Sequence, residues 1–266
     1  MRTKLDYPVF IEKITSYKIV LLQETKANVI DSNRIELFSK NNGFTCFIKN
    51  RESCKRKSGG LVTLISNDII DKVKEVNIEN EIMQGFCVNK SLFGTRKDML
   101  LVNVYIPPPS SPYSNIDQFN DLEQTLISEN YTEKLTLLCG DMNAHTGDVI
   151  DYIDYESYGT DESELAELDI VNIKEALIQN MCPVRQNKDK RKIDVYGRRL
   201  IELVKNLGLI ILNGRVKGDR QGEFTTTQNS VIDYCIGSPD VIEYIDSLKI
   251  EDYDNNIIFS DVHSSL

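Results

Sequence analysis

Short apolar runs alternate with polar stretches along the chain, and this pattern predicts many short buried strands. Each strand candidate holds consecutive apolar or β-branched residues and ends at glycine or polar residues, as strands commonly do. The candidates are KIVLLQE (18–24), FTCFIK (44–49), GLVTLIS (60–66), MQGFCV (83–88), MLLVNVYI (99–106), KLTLLCGD (134–141), LIILN (209–213), EFTTT (223–227), VIDYCIG (231–237), SLKI (247–250) and IIFSD (257–261).

Three segments instead space their apolar residues three or four apart, which predicts amphipathic helices. The first covers residues 1–18, the second follows Pro107–Pro109, and the third begins at Tyr196 and ends at Gly208. The apolar residues that share one face are Phe10, Ile14 and Tyr17 in the first helix, Phe119, Leu122, Leu126 and Ile127 in the second, and Leu200, Leu203, Val204 and Leu207 in the third. Many short strands with a few helices between them indicate two packed sheets flanked by helices.

Length and composition favour one folded domain. The chain has 266 residues, 41% of them apolar, which excludes a wholly disordered protein. No repeat or linker divides it, so we expect a single domain over 1–266, with the irregular residues 146–195 as a surface insertion. No apolar run approaches the roughly 20 residues of a membrane span, and the first residues lack the apolar core of a signal peptide. We therefore expect a soluble, intracellular protein with no membrane partner.

Charge is unevenly distributed. The chain has 31 Lys and Arg against 41 Asp and Glu, a formal net charge of −10, which by itself argues mildly against a nucleic-acid partner. Nine acidic residues and no basic residue lie between Asp148 and Asp169. Two runs of basic residues are interpreted either as solvated loops or as docking sites. The first contains Lys49, Arg51, Lys55, Arg56 and Lys57, and the second contains Arg185, Lys188, Lys190, Arg191 and Lys192. The six cysteines are scattered, which fits neither a zinc cluster nor a disulfide framework.

Carboxylates follow the last buried residue of three strand candidates. They are Glu24, Asp141 and Asp261, and Asp233 lies within a further apolar strand, where it needs a partner to offset its desolvation. The alternative interpretation is that each carboxylate is simply solvated at the end of its strand and has no functional role. If the fold gathers them, a divalent cation would offset their repulsion, and oxygen ligands favour Mg²⁺ or Mn²⁺. The two histidines, His145 and His263, both lie beside these acids.

Six short motifs are spread along the chain, namely QET (23–25), SGGLV (58–62), NVYIPP (103–108), GDMNAH (140–145), SVIDY (230–234) and SDVH (260–263). Their order and spacing resemble those of the endonuclease/exonuclease/phosphatase superfamily. The stretch GRRLIELVKNLGLIILNGR (197–215), followed by GEFTT and SVIDYCIGS, most resembles the apurinic-type endonuclease domain of non-LTR retrotransposons. The resemblance implies a four-layer α/β sandwich, two mostly antiparallel sheets packed face to face with outer helices, and a metal-dependent phosphodiesterase.

The resemblance also assigns roles to individual residues. It implies that Glu24 and Asp261 bind the metal, Mg²⁺ or Mn²⁺. Asp141 and Asn143 would orient or activate the water and contact the phosphate, and Tyr105 would hydrogen-bond the phosphate. Asp233 would hold the catalytic histidine, which is His263. His145 is interpreted as structural or as a contact at the substrate edge.

Two departures from the family pattern set further expectations. In most of the superfamily the histidine directly follows the aspartate, whereas here Val262 separates Asp261 from His263. In an extended segment this extra residue would point the His263 side chain to the opposite face, unless a bulge restores its direction. The asparagine-bearing first strand and the last strand of the family have no counterpart in the sequence, so we expect a truncated domain, a fragment of a retroelement reading frame, with reduced activity or none.

Three functions remain open at this point. The leading prediction is a DNA endonuclease that nicks target DNA in the nucleus, monomeric and accompanied by a reverse transcriptase domain in a longer reading frame. The first alternative is an enzyme of the same superfamily acting on another phosphorylated substrate. The second is an inactive remnant that at most binds nucleic acid.

Overall fold

A computed structural model describes residues 4–51, 58–152, 181–182, 184–251 and 263–264. The helices are α1 (Pro8–Thr15), α2 (Val29–Asn41), α3 (Gln118–Ser128) and α4 (Val195–Asn206). The strands are β1 (Ile19–Leu22), β2 (Phe44–Lys49), β3 (Leu61–Ser66), β4 (Val73–Val76), β5 (Met83–Val88), β6 (Met99–Tyr105), β7 (Leu135–Asp141), β8 (Ile210–Ile211) and β9 (Asp233–Gly237). None of the described helices is long and apolar enough to cross a membrane.

The strands form two sheets. The smaller has the order β1-β3-β2 and the larger has the order β4-β5-β6-β7-β9-β8. Among the described strand pairs, β6 with β7 is parallel and the others are antiparallel. The mostly antiparallel character predicted from the sequence is therefore confirmed.

Three apolar clusters stack the elements into four layers. Phe10 and Ile14 of α1 and Phe38 of α2 pack on the outer face of β3. Leu101 of β6 and Phe86 of β5 pack against the inner face of the smaller sheet. The largest cluster joins α3 and α4 to the outer face of the larger sheet through Phe119, Leu122, Leu200, Val204, Leu100, Val102 and Val104. The predicted α/β sandwich with helices outside two packed sheets is confirmed.

The inner layer changes in character along β6. Side chains alternate between the two faces of a strand, so Leu101, Asn103 and Tyr105 all point toward the smaller sheet. Leu101 belongs to the apolar cluster, Asn103 is hydrogen-bonded to polar side chains, and Tyr105, which is buried, ends the strand. The space between the sheets is therefore apolar at one end and polar at the other.

A buried ion pair fixes the chain where residues 146–195 begin. Asp151 and Arg215 are both fully buried, and the Arg215 guanidinium donates two hydrogen bonds to the carboxylate, of 2.7 and 2.5 Å. The neighbouring Tyr152 shares an apolar cluster with Met181, at which the described chain resumes. The second basic run differs in exposure from residue to residue. Arg185 is buried and hydrogen-bonded to Thr146 and Gly147. The other members, Lys188, Lys190, Arg191 and Lys192, are exposed.

Several predicted elements differ from the observed ones. Residues 223–227 and 247–250 form no strand, and only Ile210–Ile211 of the predicted 209–213 strand is paired. The first helix ends at Thr15, so Tyr17 lies outside it, and it is half-exposed. The sequence pattern also missed α2 and β4. The predicted 257–261 strand lies outside the described residues.

Candidate active site

Strand register brings three of the predicted site residues side by side. Tyr105 ends β6, Asp141 ends β7 and Asp233 begins β9. Tyr105 pairs with Asp141 across the parallel ladder, and Asp141 pairs with Asp233 across the antiparallel one. Partners in register point to the same face, so all three side chains lie at the polar end of the inner layer.

Asn143 fixes the Asp141 carboxylate. Its side-chain amide donates a 2.9 Å hydrogen bond to Oδ2 of Asp141, and its backbone N–H donates one of 2.9 Å to Oδ1. The same amide also donates to the carbonyl of Ile106 at 2.9 Å. These bonds require the left-handed backbone conformation that Asn143 adopts, with φ of +46°, and asparagine tolerates this conformation better than most residues. Asp141 is thereby held at a defined orientation.

His263 reaches Asp233 despite the intervening Val262. Its Nδ1 lies 3.0 and 3.1 Å from the two carboxylate oxygens of Asp233. A single antiparallel bridge to Thr226 holds the backbone of His263, and the N–H of Ser264 donates to the Thr225 carbonyl at 2.8 Å. The predicted histidine and its predicted aspartate are therefore in contact, and the 225–226 segment is what aligns them.

The three charged groups at this end influence one another. Burial disfavours the charged form of Asp141, and the adjacent charge of Asp233 adds to this effect, so the pKa of Asp141 lies well above its usual value. Burial also disfavours the imidazolium of His263. However, its hydrogen bond to Asp233 and the charges of Asp233, Asp141 and Glu24 outweigh burial and raise its pKa to about 9. A protonated His263 between two carboxylates offsets their repulsion.

Glu24 lies on the loop after β1, and the SGGLV motif positions that loop. The backbone N–H groups of Thr25 and Lys26 donate to the carbonyls of Gly60 and Gly59, at 3.2 and 2.9 Å. A Cβ atom at Gly60 would lie 2.8 Å from Oγ1 of Thr25, so this close approach requires glycine. Two motifs that are far apart in sequence therefore form one structural unit.

Tyr105 links Glu24 to the acids of the larger sheet. Burial is the main reason that the pKa of Tyr105 lies far above its usual value, and the negative charges of Glu24 and Asp141 raise it further. The phenol therefore keeps its proton at any physiological pH and can donate a hydrogen bond. Glu24 also forms a partly exposed ion pair with Lys26, whose Nζ lies 3.3 Å from Oε1 of Glu24.

The carboxylates at this end of the layer could hold a metal ion. One carboxylate oxygen of Asp141, one of Asp233 and a ring nitrogen of His263 lie within 4.8 Å of one another. Carboxylate oxygens close together favour a hard divalent cation. Asp261, the second predicted metal ligand, lies outside the described residues.

His145, the second histidine, belongs to a different cluster. Its Nδ1 lies 2.8 Å from Oδ2 of Asp189, and the Arg191 guanidinium is 3.4 Å from its Nε2. Asp189 was not anticipated as its partner, because the pair is 44 residues apart and no local signal joins them.

A set of buried polar residues behind the site was also missed in the sequence. Gln23, Thr63, Gln84 and Asn103 hydrogen-bond to one another between the sheets. Asn103 lies within the NVYIPP motif and Gln23 within the QET motif, and these two motifs were the signals that could have pointed to this set.

No family model matches the sequence, and no curated protein matches it. Solved structures match over most of the chain at low identity. An AP endonuclease from Leishmania major has a TM-score of 0.59 at 13% identity, covering 95% of this chain and 78% of that one. An AP endonuclease from Archaeoglobus fulgidus has a TM-score of 0.55 at 13% identity, covering 91% and 84%.

The 3′ phosphatase NExo from Neisseria, solved with a product DNA hairpin, has a TM-score of 0.53 at 14% identity, covering 97% of this chain and 94% of that one. At such identities the likeness concerns the backbone architecture. This chain therefore has the fold of the endonuclease/exonuclease/phosphatase superfamily, which confirms at the level of fold the resemblance carried by its six motifs.

Proposed function

We propose that this protein is a divalent-metal-dependent phosphodiesterase that nicks DNA, as the endonuclease of a retroelement. The observation that carries the proposal is the convergence of Asp141, Asp233 and His263 within 4.8 Å at the polar end of the inner layer. The similar structures support it, since two are AP endonucleases and the third is a 3′ phosphatase bound to DNA.

The residues at the site fit a hard divalent cation, Mg²⁺ or Mn²⁺. Glu24 would hold it together with Asp261. When bound, such an ion polarises a phosphate and stabilises the leaving oxygen. The oxygen-rich donor set, with no cysteine among the site residues, is the reason for choosing these metals over zinc.

The chain's own residues supply the remaining chemistry. Asn143 holds the Asp141 carboxylate in one orientation, from which it can accept a hydrogen bond from the attacking water. His263, held by Asp233, can transfer a proton or stabilise charge that develops on the phosphate, an effect typically worth about 10²–10⁴-fold in rate. Tyr105, which keeps its proton, can donate a hydrogen bond to a phosphate oxygen.

A DNA substrate is favoured by the charge beside the site. Lys190, Arg191 and Lys192 are exposed, and Arg191 lies against His145, two residues after Asn143. Lys190 and Arg191 also lie 3.4 Å from Asp148 and Asp189, respectively, so part of their charge is offset within the chain. Phosphate backbones are bound through such cationic surface. We further propose that the protein acts as a monomer in the nucleus, next to a reverse transcriptase domain of the same element.

A nicking assay on supercoiled plasmid tests the function. We expect nicking with Mg²⁺ and its loss with EDTA. The two histidines offer a matched pair of variants, because each is bonded to an aspartate through Nδ1. His263→Ala should slow nicking by about 10²–10⁴-fold, whereas His145→Ala should retain most of the activity with the same fold.

Other outcomes would redirect the proposal. Equal losses in the two histidine variants would contradict the assignment of His263. Metal-dependent hydrolysis of other phosphorylated compounds without nicking would keep the enzyme class and reject DNA. DNA binding in a gel shift without cleavage would identify a non-catalytic remnant.

A further inference from the structure

A buried polar layer lies between the apolar inner core and the charged site. Its members are Gln23, at the end of β1, Thr63 of β3, Gln84 of β5 and Asn103 of β6. Thr63, Gln84 and Asn103 are no more than 2% exposed. We call these four residues the amide layer.

Asn103 is the centre of the amide layer. Its Oδ1 accepts a 2.7 Å hydrogen bond from Nε2 of Gln23, and its Nδ2 donates to Oγ1 of Thr63 at 3.2 Å. Weaker contacts of 3.5 Å run from the same Nδ2 to the Leu22 carbonyl and to Oε1 of Gln84. One side chain of the larger sheet therefore bonds both the end of β1 and the middle of β3.

The position of these bonds along the chain connects them to the site. Gln23 and Leu22 directly precede Glu24, and Asn103 lies two residues before Tyr105 on the same face of β6. On the other side of Asn103, Leu101 belongs to the apolar cluster. These hydrogen bonds between the sheets are thus made within two residues of Glu24 and of Tyr105.

Two apolar side chains of similar volume would fill this space at a lower desolvation cost, because burying amides is unfavourable unless every group is bonded. What the amides add is direction. A hydrogen bond fixes the separation and the relative orientation of its partners far more narrowly than apolar packing does.

We propose that Asn103 is a positioning residue, whose bond to Gln23 sets the place of Glu24 relative to Tyr105 and Asp141 and so forms the divalent-cation site. This inference rests on the proposed metal-dependent function. Asn103 lies behind the site, and it acts through the backbone that joins Gln23 to Glu24.

The test compares metal binding in variants of the folded protein. Asn103→Leu removes the hydrogen bonds and keeps the branched shape of the side chain. Leu101→Val is the matched control, because it weakens the same inner layer on the same face of the same strand but leaves the amide layer intact. Mn²⁺ binding is measured by calorimetry and by paramagnetic resonance, with thermal unfolding and nicking kinetics recorded on the same preparations.

We expect Asn103→Leu to weaken Mn²⁺ binding by about 10- to 100-fold, the range typical when a residue that orients a metal ligand is lost. Leu101→Val should lower the unfolding temperature without changing Mn²⁺ affinity. Gln23→Leu, at a half-buried position, should reproduce the loss, and the double variant should be no worse than either single one. Gln23→Leu also provides the test if Asn103→Leu fails to fold.

The outcomes separate the two proposals. A wild-type protein that neither binds Mn²⁺ nor nicks DNA would refute the proposed function. If the wild type does both, then unchanged Mn²⁺ affinity in Asn103→Leu, equal losses in Leu101→Val, or additive losses in the double variant would overturn the role of Asn103 alone.

Discussion

Two site residues adopt the left-handed backbone region. Asn143 has φ of +46° and Glu24 has φ of +48°. For asparagine this conformation is common, but for a glutamate it costs about 1–2 kcal/mol. The bonds of Thr25 and Lys26 to Gly60 and Gly59 hold Glu24 there. Local strain is thus concentrated at the carboxylate that the proposed function requires.

Substituting Glu24 tests this strain. Glu24→Gly should unfold with a free energy about 1 kcal/mol higher than Glu24→Ala, because glycine adopts positive φ without a steric penalty. Both variants should lose nicking. Urea unfolding of the pair measures the difference, and an alanine variant as stable as the glycine variant would contradict the strain.

His263 should make the metal-free protein sensitive to alkaline pH. Its pKa rises from 6.5 to about 9 on folding. Below pH 6.5 both states carry the proton and the stabilisation is complete. As the pH rises toward 9 only the native state carries it, so the free energy of unfolding falls, by at most about 3 kcal/mol.

Urea unfolding in EDTA between pH 6 and pH 9 measures this effect. His263→Gln serves as the comparison, and its unfolding free energy should vary less over that range. Parallel pH profiles for the two proteins would show that His263 does not gain its proton affinity on folding.

At the scale of elements, one glycine sets how closely β6 and β7 approach. Gly140 has φ of +153°, and a Cβ atom there would lie 1.9 Å from the carbonyl oxygen of Val104. The next residues along the two strands are Tyr105 and Asp141, which pair in register. The absence of a side chain at 140 is therefore what brings phenol and carboxylate side by side.

Gly140→Ala should force the two strands apart. We expect a loss of stability of about 3 kcal/mol, the upper range for overpacking, together with loss of nicking. Gly94→Ala is the control, because Gly94 also has positive φ but a Cβ atom there would meet no heavy atom within 4 Å. Urea unfolding that gave equal losses in the two variants would show that backbone conformation, and not the close approach, determines the effect.

Strands buried in the sheets were predictable because their apolar runs are continuous. The α2 helix was missed because its apolar residues do not mark its buried face. Val29, Ile30 and Leu37 are exposed, whereas Asp31 and Ser39 are buried. The short β4 was missed because its four residues combine a buried and a half-buried valine with two exposed charged residues between them. The stretch 223–227 was wrongly predicted as a strand, since its threonines serve the turn and the bridge to His263.

The site was predictable in part. Asp141 and Tyr105 stand at strand ends, where the motif order placed them. Their contacts with Asp233 and His263 depend on register between strands distant in sequence, which no local pattern encodes. The amide layer has no periodic signal at all, because its four members come from four different strands or strand ends.

At the scale of the molecule, the negative net charge of the protein opposes the binding of DNA, the proposed substrate. The net charge is −10, and residues 153–180 hold eight Asp or Glu against one Lys. Long-range repulsion of DNA depends on ionic strength.

A variant in which a short Gly/Ser linker replaces 153–180 should therefore bind DNA more tightly in low salt. The advantage should shrink as salt is added. Fluorescence anisotropy across a salt series measures it, and equal affinities at low salt would mean that this segment lies away from the DNA path.

The buried pair of Asp151 and Arg215 has a consequence for how this protein can evolve. It fixes the chain at one border of residues 153–180, and Met181 returns at the other border to the apolar cluster that holds Tyr152. With both borders fixed, doubling the length between them costs only about 0.6 kcal/mol in closure entropy. Insertions and deletions can accumulate at this point while the two sheets and their helices stay unchanged, so related proteins can diversify here at little cost to folding.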